Sequence, residues 1–362
     1  MRYFLLINVL FPLFAFAQSG KRDVLNPLQL SLIEYNLIAT PPEVPNVRLP
    51  FARIKIIDSR FDTSKLGYLL LKVGMNKRKA FSKIGFKGGV QKALENYYND
   101  RFKASFTQND FELLIVMKSF WLSTVDSRKN KRVELARQVT KDCYLHSKWE
   151  YYIGKEGLYL PVKRMDTVFR LAKGFEFLVE AEFNNRERSF VSSSLNSMVE
   201  ILDFSNAIIQ FKDQPKKSLN EISEYNNKRN LLPVLQDQNF KRGIYFSFEE
   251  FKNNKPSIED FVEKKMRYGL ANSEIYLEDM KGETIGQYWG YSDGAKFRYG
   301  MLGNDKIYRI QNTFCFFIKV VGYIVNSGSD TFSNEGDYSK ISKDKYEIWV
   351  PYQINMETGE IY

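Results

Sequence analysis

Seventeen residues at the start of the chain set the conditions under which everything after them folds. Met1-Arg2-Tyr3 carries one positive charge, Phe4 to Phe14 is an almost unbroken apolar run, and Ala15-Phe16-Ala17 before Gln18 has the small-x-small spacing that a signal peptidase cuts. The stretch up to the cut is about 14 residues, roughly 21 Å as helix against about 30 Å for a bilayer core, which fits a leader cleaved between Ala17 and Gln18 better than an anchor. No cysteine adjoins the cut, so nothing there can be acylated. The best later apolar stretch, Thr313 to Val325, is interrupted by Lys319 and Gly322. The rest of the chain is therefore expected to fold in water beyond a membrane, in the periplasm or outside the cell, with no transmembrane segment.

The 362 residues are enough for two domains. Aromatic residues reach 15%, mostly Phe and Tyr, which favours β-structure, where flat rings pack on pleated surfaces. The formal charge is +10, and +9 once Arg2 leaves with the leader. Short clusters at Lys77-Arg78-Lys79, Arg128-Lys129-Asn130-Lys131-Arg132 and Lys216-Lys217 read as solvated loop tips. An excess of this kind attracts anions, and for an exported chain these are lipopolysaccharide, anionic lipid and acidic glycans; nucleic acid is excluded by compartment. The two cysteines, Cys143 and Cys315, are too few for a disulfide scaffold and sit in apolar, strand-like contexts. Two separately buried thiols are the plainer reading, and a bridge between domains is the alternative.

Pattern along the chain divides it as follows. Residues 18–50 form an extended segment with Pro41, Pro42, Pro45 and Pro50, preceded by a possible short helix from Leu28 to Ile38. Residues 51–211 read as an α+β domain with strands at 52–58, 68–73, 111–122, 143–171 (two or three, broken at Gly154-Lys155-Glu156-Gly157 and near Pro161) and 175–183. Its helices are one with Val90, Ala93, Leu94 and Tyr97 on a single face, and one from Ser189 to Ile209. That order predicts a mostly antiparallel sheet with two covering helices. Residues 212–242 are polar and poorly patterned, as in a linker. Residues 243–362 carry strands and regularly spaced turns at Met280-Lys281-Gly282-Glu283, Ser292-Asp293-Gly294 and Gly303-Asn304-Asp305, with a one-turn helix start at Ser257. A β-meander domain follows from those turns, with a polar loop at 326–337 and a last turn from Asn355 into the C-terminus. The fold class expected is α+β.

The residues offer little that points to catalysis. His146 is the one histidine, and neither HExxH, CxxC nor GxSxG accompanies it. Gly85-Phe86-Lys87-Gly88-Gly89 opens a helix but lacks the GK[ST] of a phosphate loop. Asp330, Asn334, Glu335 and Asp337 do not have calcium-loop spacing, and carboxylate pairs such as Glu249-Glu250 and Glu259-Asp260 are commonplace. No cofactor or metal is expected. The most distinctive segment is Gln287 to Gly294. Alternation puts Trp289 and Tyr291 on one strand face beside an Asp-Gly turn, so that Trp289, Tyr291, Asp293 and Lys296 are candidate contacts for a sugar ring or a protein partner. The same pattern also suits a packed aromatic core.

Gly243-Ile244-Tyr245-Phe246-Ser247-Phe248-Glu249-Glu250-Phe251-Lys252-Asn253-Asn254-Lys255-Pro256-Ser257, followed by Trp289-Gly290-Tyr291-Ser292-Asp293-Gly294, resembles a segment shared by uncharacterised exported proteins of Bacteroidota. The resemblance covers the last third of the chain and implies an export context without an activity. Ile54 to Gly67 and the helix after it are more distantly similar to α+β domains of small periplasmic and outer-membrane lipoproteins, from which this chain departs in having no cysteine to lipidate. The expectation is an exported, non-enzymatic envelope or secreted protein that binds a macromolecule, protein or glycan. The alternatives are a hydrolase of cell-wall glycan or peptidoglycan, and electrostatic association with lipopolysaccharide or anionic lipid.

Overall fold

The structure, a computed structural model, describes residues 30–37, 39, 48–73, 78–107, 109–123, 142–173, 190–200, 202, 204–268, 272–300, 305–325 and 343–361. The leader with Ala17 and Gln18, the cluster from Arg128 to Arg132, the expected strand at 175–183 and the 326–337 loop lie outside these residues. The chain is mixed α+β with strands predominating, and among the described residues no helix is long and apolar enough to cross a membrane.

Strands β1 (Leu32–Tyr35), β2 (Arg53–Asp58), β3 (Gly67–Val73), β4 (Arg78–Phe86), β5 (Glu112–Ser123), β6 (Asp142–Lys155), β7 (Leu158–Lys173) and β8 (Lys217–Ser218) form one sheet. Their order is β1-β4-β3-β5-β6-β7-β8, with β2 beside β5. β1–β4 and β2–β5 run parallel; β3–β4, β5–β6, β6–β7 and β7–β8 are antiparallel. The expected helix at 28–38 is instead β1 across 32–35. Ile33, Tyr35 and Leu37 all reach the same core, a period of two that no helix face provides. Lys77 to Lys79 was expected at a loop tip, but Arg78 and Lys79 already belong to β4. Pro161 does not break β7. Between Tyr151 and Tyr152 the register with β6 shifts by one residue, a bulge that absorbs the proline. Glu156 and Gly157, both at positive φ, make the two-residue turn into β7.

One face of this sheet is apolar. Helix α1 (Val90–Arg101) packs Val90, Ala93, Leu94, Tyr97 and Tyr98 onto it, as the spacing requires. The region expected as one helix at 189–209 is two, α2 (Phe190–Glu200) and α3 (Ser205–Gln210). Leu202 and Phe204 both face the core, and residues two apart point in nearly opposite directions on a helix, so the chain must break between α2 and α3 to bury both. Tyr98 Oη donates to the Leu195 carbonyl and Tyr97 Oη to Asn196 Oδ1, both at 2.9 Å, which fixes α2 against α1.

The expected linker at 212–242 is folded. It holds β8, helix α4 (Leu219–Asn230) and the short helix α5 (Pro233–Gln236). A capping box starts α4: Ser218 Oγ accepts from the Glu221 amide while the Glu221 carboxylate accepts from the Ser218 amide. Helix α6 (Phe248–Lys252) is capped by Ser247, whereas Ser257 caps nothing, because Ser257 and Ile258 bond to Ile244 as extended chain.

The C-terminal strands do not form one meander. β9 (Gly243–Tyr245), β10 (Val262–Tyr268), β11 (Asn272–Glu278), β12 (Thr284–Ile285), β13 (Gly290–Ser292), β14 (Phe297–Tyr299), β15 (Asp305–Lys306), β16 (Tyr308–Ile310), β17 (Thr313–Val325) and β18 (Lys343–Ile354) sort into three small sheets. These are β10-β11-β12, β15-β14-β13-β9 and β16-β17-β18. The early strand β9 supplies an edge partner that sequence-local pairing would not choose. Tyr68, Phe81 and Trp121 of the large sheet share one aromatic cluster with Tyr245, Phe251, Trp289, Phe297, Phe314, Phe316 and Tyr352. The two sequence regions are therefore joined by a common core.

Gly67 sits where β3 meets β5, at φ +153°, and an added Cβ would lie 1.9 Å from the Leu122 carbonyl oxygen. Gly67→Ala is expected to cost on the order of 3 kcal/mol or more, read by urea unfolding, because a backbone atom cannot yield as a flexible side chain does.

Candidate functional site

The aromatic segment singled out by the sequence does not form a surface. β13 begins only at Gly290, and Trp289 just before it turns its ring to the opposite side from Tyr291. Trp289, 6% exposed, lies 4.6 Å from the Phe251 ring and 5.2 Å from that of Tyr299. Tyr291 is fully buried beside Ile244, Phe261 and Leu277, edge-on to Phe261 at 5.7 Å. Burial, with Glu263 alongside, pushes its hydroxyl above the usual phenol range. Asp293 and Lys296 are exposed, and the carboxylate of Asp293 accepts the amides of Ala295 and Lys296 at 2.8 and 2.7 Å. Those bonds, helped by Lys296 and Arg298, outweigh partial burial and lower the Asp293 carboxyl. The candidate quartet thus separates into two core rings and two turn residues. No ring is left to stack on a ligand.

His146 is buried on β6, its Nε2 2.9 Å from Ser123 Oγ at the end of β5. A histidine bonded to a serine is the first requirement of a nucleophilic pair. Both side chains are 4% exposed, and neither lines the cavities described below, so a substrate has no route to the serine through them. Cys143 and Cys315 are both buried, lie in separate clusters and form no disulfide with one another, which removes the disulfide alternative. Burial pushes the Cys315 thiol up to about 12, against a weaker opposing pull from Lys65. Among the described residues no group of three His, Cys, Asp or Glu side chains is placed to hold a metal ion.

Sequence reasoning missed the charged second face of the large sheet. The turn after β2 buries Ser59, Arg60, Phe61, Asp62 and Lys65 and leaves Thr63 and Ser64 exposed. Arg60 Nε and Nη2 donate to the Asp58 carboxylate at 2.9 and 2.8 Å, and its Nη1 donates to the carbonyls of Lys65 and Phe120. Lys65 and Asp62, each 1% exposed, pair with one another, and the Lys65 ammonium lies over the rings of Tyr68 and Trp121 at 5.3 and 5.5 Å. On β5 and β6, Lys118 donates to Glu150 at 2.5 Å. Burial still lowers the Lys118 ammonium despite that partner. At the open end, Glu112 takes Arg53, Lys55 and the Tyr159 hydroxyl. Burial alone would raise its carboxyl, but these bonds hold it below the usual range.

Glu357, in the last turn of the chain, reaches this face and accepts from both Lys148 of β6 and Arg229 of α4. Burial opposes its ionisation, and the Lys148 bond and the Arg229 charge prevail, so its carboxyl titrates low. A cavity of about 30 Å³ lies here, lined by Arg60, Asp62, Lys118, Thr313, Gln353 and Glu357 among others. It has the capacity of a water or two, and the buried Gln353 Oε1 has no donor among the described residues. Each of these cations has a carboxylate against it, with Glu357 serving both Lys148 and Arg229, the arrangement of a structural seam.

A second concavity, of about 610 Å³, is open to solvent. Leu160, Pro161 and Val162 of β7, Asn206, Ala207 and Gln210 of α3, the connection Gln214-Pro215-Lys216-Lys217, and Glu221 line it. The volume falls within the range of ligand sites, about 300–1,000 Å³. Lys216 Nζ donates to the carbonyls of Lys212 and Gln214 and lies 5.2 Å from the Phe211 ring, while Lys217 Nζ lies 5.7 Å from the Tyr225 ring. The cluster Lys216-Lys217, expected as a solvated tip, stands at the rim of this groove, with Lys217 exposed and Lys216 half-buried.

Two outcomes follow from the seam and the thiol. Glu357→Gln should destabilise the chain by about 3 kcal/mol at pH 7, since it leaves the largely buried Arg229 without its carboxylate and Lys148 with only the exposed Asp166 at 3.8 Å. A carboxyl whose folded pKa is depressed contributes stability that is present above about pH 4.3 and lost as pH falls through the folded value, so the gap between variant and parent in urea unfolding should shrink toward pH 3. Burial both raises the Cys315 thiol and closes it to solvent, so iodoacetamide labelling of Cys315 at pH 8 should be much slower in the native state than in urea.

No protein-family model matches the sequence, and no curated protein matches it. Among solved structures, the chain is similar to protein XCC0632 from Xanthomonas campestris, assigned to the family model DUF330. The two are 12% identical over 51% of this chain and 100% of that one, with a TM-score of 0.30. At that score the likeness bears on neither fold nor function.

Proposed function

We propose that this is an exported, non-enzymatic envelope or secreted protein that binds another macromolecule, protein or glycan, in the groove between β7 and α3. In this reading a large sheet with its covering helices carries the groove, and the aromatic β-rich part serves as a brace behind the sheet. The observation that carries it is a contrast between interior and groove. The buried charges of Arg60, Lys65, Lys118 and Glu357 are all neutralised by neighbours within the chain. In the groove, the side-chain amides of Asn206, Gln210 and Gln214 make no hydrogen bond among the described residues, and no carboxylate pairs with Lys216 or Lys217. Polar groups left open in a concave site are those that an external partner can satisfy.

The hydrolase alternative has the Ser123–His146 pair in its favour, but that pair is sealed inside the sheet. The test is retention of envelope components at low salt on the immobilised full chain, compared with Gln210→Trp, whose bulky ring fills the groove from an exposed position. Loss of a retained component in the variant, with unchanged circular dichroism and melting, is the expected result. Equal retention by both proteins would count against the groove, and turnover of peptidoglycan by the parent chain would count against a non-enzymatic role.

A further inference from the structure

We propose that the groove takes an acidic, extended peptide segment of a partner protein; the inference rests on the groove being the binding site and names the chemistry of its occupant. Three features of the lining select among anionic ligands. The first is the cationic rim. Lys216 is held by two carbonyls and the face of Phe211 with no carboxylate paired to it among the described residues, and Lys217 lies over the face of Tyr225 with the Glu221 charge acting on it without a direct ion pair. The single carboxylate of the lining, Glu221, is committed to the Ser218 amide and hydroxyl at 2.6 and 2.9 Å. The rim therefore presents net positive charge to an incoming carboxylate.

The second feature is the row of amides. Asn206, Gln210 and Gln214 each offer both a donor and an acceptor to the groove. An acyl chain laid across them would strip their water and return no hydrogen bond, which disfavours a lipid tail. A peptide backbone answers donor with acceptor and acceptor with donor along its length. The third is the character of the apolar wall. Leu160, Val162, Ala207 and Pro215 are aliphatic, and no aromatic ring among the described residues lines the groove. Sugar recognition ordinarily stacks a pyranose on a ring, and the rings nearby, Phe211 and Tyr225, are engaged by lysines. An aliphatic wall suits a Val, Leu or Ala side chain. Carboxylate, backbone amides and an aliphatic side chain together describe an acidic peptide.

The experiment is selection of a random heptapeptide display library on the purified full chain, with the enriched peptides resynthesised and titrated by calorimetry. Counter-selection uses Lys216→Gln, Lys216→Glu and Gln210→Trp, each checked for an unchanged melting profile. Acidic-aliphatic sequences are expected, with affinity lost at least tenfold in Lys216→Glu and in Gln210→Trp, a smaller loss in Lys216→Gln, and weakening as salt rises. Neutral or basic consensus sequences, acidic peptides that bind all variants equally, or no enrichment over a blank support would each overturn the peptide assignment. Parallel arms use an array of acidic glycans and vesicles containing phosphatidylglycerol. Binding there that Gln210→Trp abolishes, without peptide binding, would overturn the peptide while leaving the groove as the binding site. Failure in all three arms would remove both readings.

Discussion

The structure depends on how one face of its large sheet hides charge. The opposite face is apolar and covered by α1 and α2 in the ordinary way. The second face carries Glu112, Lys118, Lys148, Glu150 and His146 on β5 and β6, and it is covered all the same. Removing an ion from water costs several kcal/mol unless a counter-ion with good geometry accompanies it. Each charge on that face therefore had to bring its partner, and the partners come from elements distant in sequence. Arg229 arrives on α4 and Glu357 in the last turn of the chain. The helix between the two sequence regions and the C-terminal turn are thereby fixed to the sheet by the same carboxylate.

That requirement explains why the chain does not separate into two independent bodies at residues 212–242. α4 buries only Ile222 and Asn226, a thin apolar stripe for a helix of 12 residues. Its polar face does the rest: Arg229 and Asn230 donate to the Ser59 carbonyl, and Arg229 also meets Glu357. Behind the charged seam, Tyr68, Phe81 and Trp121 continue into the aromatic cluster of Phe251, Phe297, Phe314 and Tyr352. The apolar and the ionic parts of this junction support one another. The rings exclude water from Lys65 and Asp62, and the ion pair lets the turn that carries Phe61 sit inside.

Much of the fold was legible where the side-chain period was strong. β2, β3, β5, the β6–β7 turn and α1 follow from alternation, from Glu156-Gly157 and from Val90, Ala93, Leu94 and Tyr97, four of the five buried positions of α1. Misreadings arose where tertiary contacts overrule local pattern. The capping box Ser218-x-x-Glu221 was present as a helix start, but the polar composition around it read as linker. Arg60, Asp62 and Lys65 look like any charged turn, because their ion partners are local, and a sequence does not reveal that Arg60 will also reach the Phe120 carbonyl or that Lys65 will lie against the rings of Tyr68 and Trp121. Trp289 and Tyr291 were correctly seen as distinctive. Alternation put them on one face, whereas β13 begins only at Gly290 and the two rings are buried in different clusters. The groove had no sequence signal beyond Lys216-Lys217, since its walls come from β7, α3 and the start of α4.

The chain's basic surplus is also easier to interpret once its placement is known. A net charge of +10 spread over loop tips would give a diffuse field, screened within about 10 Å at ordinary salt and selective for nothing. Inside the fold the cations are matched pair by pair, as Arg60, Lys65, Lys118 and Lys148 show, so they add little to any external field. Unmatched cations matter most where a concave, partly apolar wall lowers the local dielectric and where the ammonium is already held in place. Lys216 meets both conditions: it is half-buried, tethered by two carbonyls and a ring, and set at the mouth of a groove. Its tethering has an entropic consequence, because a lysine ordered before binding loses less rotamer freedom when a carboxylate arrives. Preorganised charge of this kind favours a defined anionic group over a polyanion cloud, and it ties selectivity to the shape of the wall behind Lys216.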